Sequence, residues 1–201
     1  MPKILTKPYW YLRHGETDWN LRGLSQGRTD IPLNSTGLAQ AVRAGQIFAD
    51  MFRKGENPFD RIIASPLSRA LITAEHTRDA IRDSGGPDLP LIIDPELKEV
   101  CFGVQEGQPM GEWYDPWIED GYTPEGAESF ATLQARAVGA VNRALQADGT
   151  PLFVAHGALF RSLRAGMSLP VNVRLPNAVP LHLTPEVTGW TIRACLPEIA
   201  Q

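Results

Sequence analysis

Stretches of basic charge, long apolar runs and paired cysteines are all scarce in this chain of 201 residues. Lysine and arginine number 19 against 23 aspartates and glutamates, and no Lys/Arg block stands anywhere. Nucleic acid binding needs a basic footprint, so no nucleic acid partner is expected. No segment approaches the ~20 apolar residues that cross a bilayer, which argues against a membrane partner. The opening residues, Met1 to Pro8, hold no apolar run of secretory length. Cys101 and Cys195 lie far apart without a CxxC pattern. A disulfide framework is therefore not expected, and a reducing, cytoplasmic setting is. What is present is a chain 43% hydrophobic and 21% charged, the balance of a soluble globular protein. Its length suits one domain over residues 1–201 with a core of ordinary size.

Short apolar runs at Lys7–Leu12, Asp60–Ser65, Leu91–Ile93 and Pro151–Ala155 read as strands, with two later ones at Val179–Leu183 and Trp190–Ala194. Helical spacing fits Ser35–Phe52, a stretch from Pro66 or Leu67 to Asp83, and Ala127–Ala147. Asn34 or Ser35 can cap the first of these. The Asp94–Gly126 stretch is loop-rich, with four prolines and five glycines. Strands that alternate with helices, and that are apolar throughout, indicate a three-layer α/β/α sandwich with a mostly parallel central sheet.

Ligands in such sheets bind beyond the carboxyl ends of the strands. Three of those ends carry polar residues: Arg13-His14, Ser65 with Arg69 beyond it, and His156-Gly157. The first lies within Arg13-His14-Gly15-Glu16-Thr17-Asp18-Trp19-Asn20, which resembles the R-H-G-E-T-x-x-N signature of the histidine phosphatase superfamily, also called phosphoglycerate mutase-like. The resemblance continues at Gln26-Gly27, Asp30-Ile31-Pro32-Leu33, Gly37, Gln40-Ala41, Ser65 to Ala74, Leu97-Lys98-Glu99, Gly103, Glu106-Gly107 and Val154 to Gly157. The matches fall in order from residue 11 to about 160, and they imply a phosphoglycerate mutase-like fold and phosphate chemistry. Beyond residue 165 the resemblance fades, and Asn177-Ala178 read as scaffold.

A dianionic phosphate monoester must be neutralised and presented in line to a nucleophile. Arg13 and Arg69 suit the first task, because guanidinium groups stay charged and grip phosphate oxygens in pairs. Asn20 adds a neutral donor, and Gln26 and Gly157 complete the expected phosphate-binding set. His14 suits the second task, since the neighbouring arginines favour its neutral, nucleophilic form. His156 reads as an electrostatic partner for a phosphoryl oxygen. The resemblance makes Glu99 the proton donor and acceptor, with Asp18, Glu106 and Glu16 as weaker candidates. His76 and His182 lack motif context, and Cys101 reads as a buried structural thiol. No carboxylate or histidine cluster has metal-ligand spacing, so neither a metal nor another cofactor is expected.

The 104–126 segment reads as a lid-like loop. Between Glu99 and Ala135 there is no Lys or Arg, while acids and the aromatics Trp113, Tyr114, Trp117 and Tyr122 abound. These aromatics fit core packing as well as substrate contact. An acid-lined mouth would favour a neutral, aromatic or cationic leaving group unless Arg22, Arg28, Arg161 or Arg164 supplies charge. The expected function is thus metal-independent hydrolysis of small phosphate esters through phosphohistidine on His14. Mutase-type phosphoryl transfer, phosphoprotein dephosphorylation and non-catalytic phosphate binding are the alternatives. The expected partner is a small-molecule phosphate ester, and a homodimer is left open.

Overall fold

Four apolar strands run parallel and carry the fold. In the computed structural model, which describes residues 2–196, they are β1 (Tyr9–Arg13), β2 (Arg61–Ala64), β3 (Leu91–Ile93) and β4 (Pro151–Ala155). At one edge β5 (Leu181–Glu186) and β6 (Gly189–Ala194) add antiparallel, and the order becomes β3-β2-β4-β1-β5-β6. The helices are α1 (Asp18–Leu21), α2 (Ser35–Arg53), α3 (Ser68–Asp83), α4 (Tyr114–Glu119), α5 (Phe130–Gln146) and α6 (Gly157–Gly166).

Strands that are apolar throughout need cover on both faces, because successive side chains point to opposite sides. Trp10, Leu12, Ile62, Ala64, Leu152 and Val154 meet Ala44 and Phe48 of α2 and Ala74 and Ile81 of α3. The intervening Tyr9, Tyr11, Ile63, Phe153 and Ala155 meet Leu133 and Ala137 of α5 and Leu159 and Leu163 of α6. The result is the three-layer, mostly parallel sandwich that the pattern implied.

Several boundaries differ from the sequence expectation, each for a local reason. The last helix before β4 starts at Phe130 rather than Ala127, because the Ser129 side chain caps it and Ala127 bridges to Phe102. Strand β5 runs on through Pro185, since β1 flanks it only as far as Leu183 and the edge facing β1 is then unpaired, while β6 still pairs the other edge. The segment after β3 is more ordered than a loop. It holds 3-10 turns at Pro95–Leu97 and Gly103–Gln105 as well as α4.

Aromatic residues anchor this segment. Phe102, Trp113, Tyr114, Trp117 and Phe130 pack ring against ring, with centroids 5.2 to 6.0 Å apart. Trp117 is fully buried, and its Nε1 donates to the Glu128 carbonyl at 3.0 Å. The lid-like segment therefore belongs in part to the core. Trp117→Ala should cost about 3–5 kcal/mol in urea unfolding; a loss below about 0.5 kcal/mol would mean the segment merely rests on the surface.

Candidate active site

Strand register brings the polar strand ends together. Arg13 pairs with Ala155 and Ala64 with Val154, so His14, Ser65 and His156 emerge side by side. The His14 N–H donates to the Ala155 carbonyl at 3.0 Å, and the Ser65 N–H to that of Val154 at 3.0 Å. The His14 and His156 rings lie 5.3 Å apart.

The His14 ring is buried, and its Nδ1 lies 2.6 Å from the Gly15 carbonyl. A carbonyl only accepts, so Nδ1 carries the proton and Nε2 keeps its lone pair. Burial, then Arg69 and Arg13, hold the ring pKa well below the ordinary imidazole value. Close backbone contact shapes the turn that follows β1: a Cβ on Gly15 would collide with the Gly37 carbonyl, and one on Gly37 with that of Glu16. Asn34 caps α2 at the same place by accepting from the Gly37 N–H and donating to Glu16 Oε1.

Around this ring stand polar groups with unmet capacity. Arg69 is buried and donates Nη1 to the Thr29 carbonyl and Nη2 to that of Gly27, at 2.9 and 2.7 Å. Arg13 donates Nη1 to the Leu175 carbonyl at 2.5 Å. Desolvation, reinforced by Arg161 and Arg174 against the opposing pull of Glu99, pushes the Arg13 pKa down to about 10. His156 Nε2 lies 2.8 Å from Ser65 Oγ. Burial, Arg69 and His14 depress its pKa as well. Arg13 Nε, Arg69 Nε and His156 Nδ1 are all buried with no hydrogen-bond partner among the described residues. Gly157 leaves room for Arg13, because a Cβ there would lie 3.3 Å from its Nε.

Asn20 and Gln26 both line the pocket and accept from Thr17 through their side-chain oxygens. Their amide N–H groups are what each has left to offer an anion. Glu99 is also buried against the pocket. Its Oε1 accepts from the Val100 and Leu159 N–H groups and its Oε2 from that of Ala158, at 2.9 to 3.0 Å. One lone pair on Oε2 remains.

The weaker acid candidates stand elsewhere. Glu106 accepts from Arg28 N, Phe102 N, Thr29 N and Thr29 Oγ1, and so fixes the turn whose carbonyls hold Arg69. Glu16 is held by Asn34, and Asp18 lies in the first turn of α1. His182 stacks on Trp10 with centroids 4.4 Å apart, away from the site. Cys101 is half-exposed rather than buried, with Sγ near the Gly126 carbonyl; the bridge from Phe102 to Ala127 keeps this stretch at the surface.

Other residues at the site were not assigned to it from the sequence. Asn177 donates to the His14 carbonyl at 2.9 Å and the Ala178 N–H to that of Arg13 at 3.0 Å, so this pair props the Arg13-His14 strand end rather than serving as remote scaffold. Arg161, Arg174, Tyr114 and Leu175 line the pocket, whose volume is about 300 Å³. Among the pocket-lining residues Glu99 is the one acid, so the acid-lined mouth expected from residues 99–135 is not formed. Glu128 pairs with Arg136 and Arg28 and Asp115 accepts from Asn172, while Glu112, Glu119, Asp120 and Glu125 are exposed to solvent. Arg161, one of four arginines that the sequence left open as a source of positive charge, lies four residues after Gly157, one helical turn on. Arg174 had no such signal.

The profile of the histidine phosphatase superfamily, branch 1, matches residues 9–194. The chain belongs to this family. Among its curated relatives, the uncharacterized phosphatase PhoE of Bacillus subtilis is 36% identical over 188 residues, covering 90% of each chain. A probable phosphoglycerate mutase GpmB of Proteus mirabilis is 33% identical over 208 residues, covering 95% of this chain and 91% of its own. Among solved structures, a mycobacterial glucosyl-3-phosphoglycerate phosphatase complexed with VO3 superposes with a TM-score of 0.77 at 25% identity, covering 94% and 98% of the two chains. A phosphoserine phosphatase from Entamoeba histolytica, complexed with 3-phosphoglyceric acid, superposes with a TM-score of 0.74 at 25% identity, covering 95% and 98%. The match reaches through β6, so the family resemblance does not end near residue 165. No helix of the described residues is long and apolar enough to cross a membrane.

Keeping two histidines neutral has a consequence for stability. Both pKa values are depressed in the fold, so below about pH 6.5 the unfolded chain binds more protons than the folded one. Stability should therefore fall as pH drops from about 6.5. Urea midpoints at pH 7.5, 6.0 and 5.0 should show this decline, with a shallower slope in His14→Asn. An unchanged slope in the variant would mean that His14 is not held neutral.

Proposed function

We propose that the protein is a phosphatase that hydrolyses small phosphate monoesters, using His14 Nε2 as nucleophile and no metal ion. The observation that carries this reading is the set of buried, unpartnered nitrogens beside a neutral imidazole. Arg13 Nε, Arg69 Nε and His156 Nδ1 each forgo a hydrogen bond, which costs about 1–3 kcal/mol apiece unless a ligand answers it. A tetrahedral oxyanion offers the acceptors they lack.

The chemistry follows from the geometry. Arg13, Arg69 and the Asn20 and Gln26 amides hold the phosphoryl oxygens, and His14 Nε2 attacks phosphorus. The N–P bond forms as the bond to the leaving oxygen breaks, and Glu99, entering this step as the acid with its proton at the position on Oε2 that the backbone donors leave free, gives that proton to the leaving oxygen and becomes the carboxylate. Water then attacks the phosphohistidine, Glu99 takes back a proton, and the N–P bond breaks to release phosphate. His156 stabilises the charge that spreads over the equatorial oxygens, with Ser65 orienting its ring. The rim residues Met110 and Arg174 are exposed, so water has access to the intermediate. That access supports hydrolysis over mutase-type transfer, while the relatives' names include both phosphatases and a phosphoglycerate mutase. Two free cysteines fit the reducing cytoplasm proposed as its setting.

Hydrolysis of p-nitrophenyl phosphate in EDTA should proceed in the parent and fall by roughly 10³-fold or more in His14→Ala. Activity retained in the variant would remove His14 from the mechanism, and activity lost only on chelation would remove the metal-independent route. Glu99→Gln should lower kcat by roughly 10²–10⁴-fold on an alkyl phosphate. The drop should be much smaller on p-nitrophenyl phosphate, whose leaving group needs no proton. Equal losses on both would make Glu99 a cap for α6 rather than the proton donor.

A further inference from the structure

We infer that Glu128, acting through Arg136 and Arg28, is a positioning residue that aims Glu99 at the leaving oxygen. The inference rests on the reading of Glu99 as the proton donor and names the residues on which that role depends.

A proton donor needs a fixed backbone, and the chain around Glu99 does not supply one by itself. Residues 98–101 lie between the 3-10 turns Pro95–Leu97 and Gly103–Gln105 and belong to no helix or strand. Their carbonyls are answered by groups from elsewhere in the fold. Arg136, on α5, donates Nη1 to the carbonyls of Glu96 and Lys98 at 2.5 and 2.8 Å. Arg28 donates Nε to the carbonyl of Glu99 itself at 3.3 Å. The Glu128 N–H donates to the Cys101 carbonyl at 2.8 Å.

The two guanidinium groups meet at one carboxylate. Glu128 Oε1 accepts from Arg136 Nε at 3.0 Å and its Oε2 from Arg136 Nη2 at 2.8 Å, a two-pronged contact that fixes the plane of the guanidinium. Glu128 Oε2 also lies 3.4 Å from Arg28 Nη2. The side chains of Glu128 and Arg136 are only 9% and 11% exposed, so solvent screens this pair little. An isolated ion pair would account for stability alone. Here both arginines also grip the backbone on which Glu99 is mounted.

The far end of Glu99 is held separately, by the Val100, Ala158 and Leu159 N–H groups on its carboxyl oxygens. The backbone grip at one end and these donors at the other set the line of the side chain, and with it the direction of the free position on Oε2. Glu128, Arg136 and Arg28 are not among the described residues that line the pocket. They therefore reach the reaction through Glu99, and proton transfer is sensitive to small displacements of the donor.

The test compares kcat/KM for glycerol 3-phosphate, whose leaving alkoxide needs a proton, with that for p-nitrophenyl phosphate, whose leaving group does not. Glu128→Gln keeps the shape but weakens the hold on both guanidinium groups, and Arg136→Lys keeps the charge but loses the two-pronged contact. Each should lower kcat/KM on glycerol 3-phosphate by about 10 to 100-fold and on p-nitrophenyl phosphate by less than about threefold. Arg28→Met, at an exposed position, should show the same selectivity with a loss of about 3 to 10-fold, which keeps the test decisive if the other two variants fail to fold. Placed on Glu99→Gln, none of these changes should lower the glycerol 3-phosphate value further, because the donor they position is gone. Equal losses on both esters, no loss on either, or a full additional loss on top of Glu99→Gln would overturn the positioning role. Equal losses on both esters in Glu99→Gln by itself would instead remove the proton-donor reading, and the positioning role with it.

Discussion

A basic ring nitrogen is kept unprotonated with its lone pair free where burial and nearby guanidinium groups disfavour the cation and the second ring nitrogen is already committed. His14 meets both conditions, since its ring is buried and its Nδ1 is bound to the Gly15 carbonyl. The rest of the site follows from that ring. The glycine turn at Gly15 and Gly37 lets α2 press against the nucleophile segment, and the in-register pairing of β1 with β4 sets His156 beside it. The same positive charge that keeps the imidazole neutral makes the pocket attractive to an anion.

Such a site works against the stability of the fold. Unpartnered nitrogens on Arg13, Arg69 and His156 are retained within the protein, and two buried imidazoles resist protonation. The offset lies in the two apolar cores on either side of the sheet and in a frame of hydrogen bonds around the site. Glu106 braces the turn that holds Arg69, and Glu99 ties the pocket wall to the start of α6. Tyr11 braces the backbone of His156, donating to its carbonyl and accepting from its N–H. Carboxylates that look interchangeable along the chain thereby divide into braces and one residue with a lone pair facing the pocket.

The wall opposite the phosphate cradle comes from segments distant in sequence. Tyr114 comes from α4, Arg161 from α6 and Arg174 from the stretch before β5. These segments are held by contacts across the fold, including Arg13 to Leu175 and Asn177 to His14. The pocket thus rests on two supports, strand ends on one side and later connections on the other.

Much of this was determined by the chain itself. Contiguous apolar strands with intervening helices imply a sheet covered on both faces, and the Arg13-His14-Gly15 and His156-Gly157 strand ends mark its working edge, because strand direction and side-chain alternation are local properties. What only the tertiary structure decided was which side chains complete the pocket. Glu128 and Asp115 turn to Arg136 and Asn172 and the other acids of the 108–128 stretch face solvent, while Arg161 and Arg174 line the pocket. Charge counted along a segment could not reveal this, because the direction a loop side chain takes depends on partners brought to it by folding, not on its neighbours in sequence.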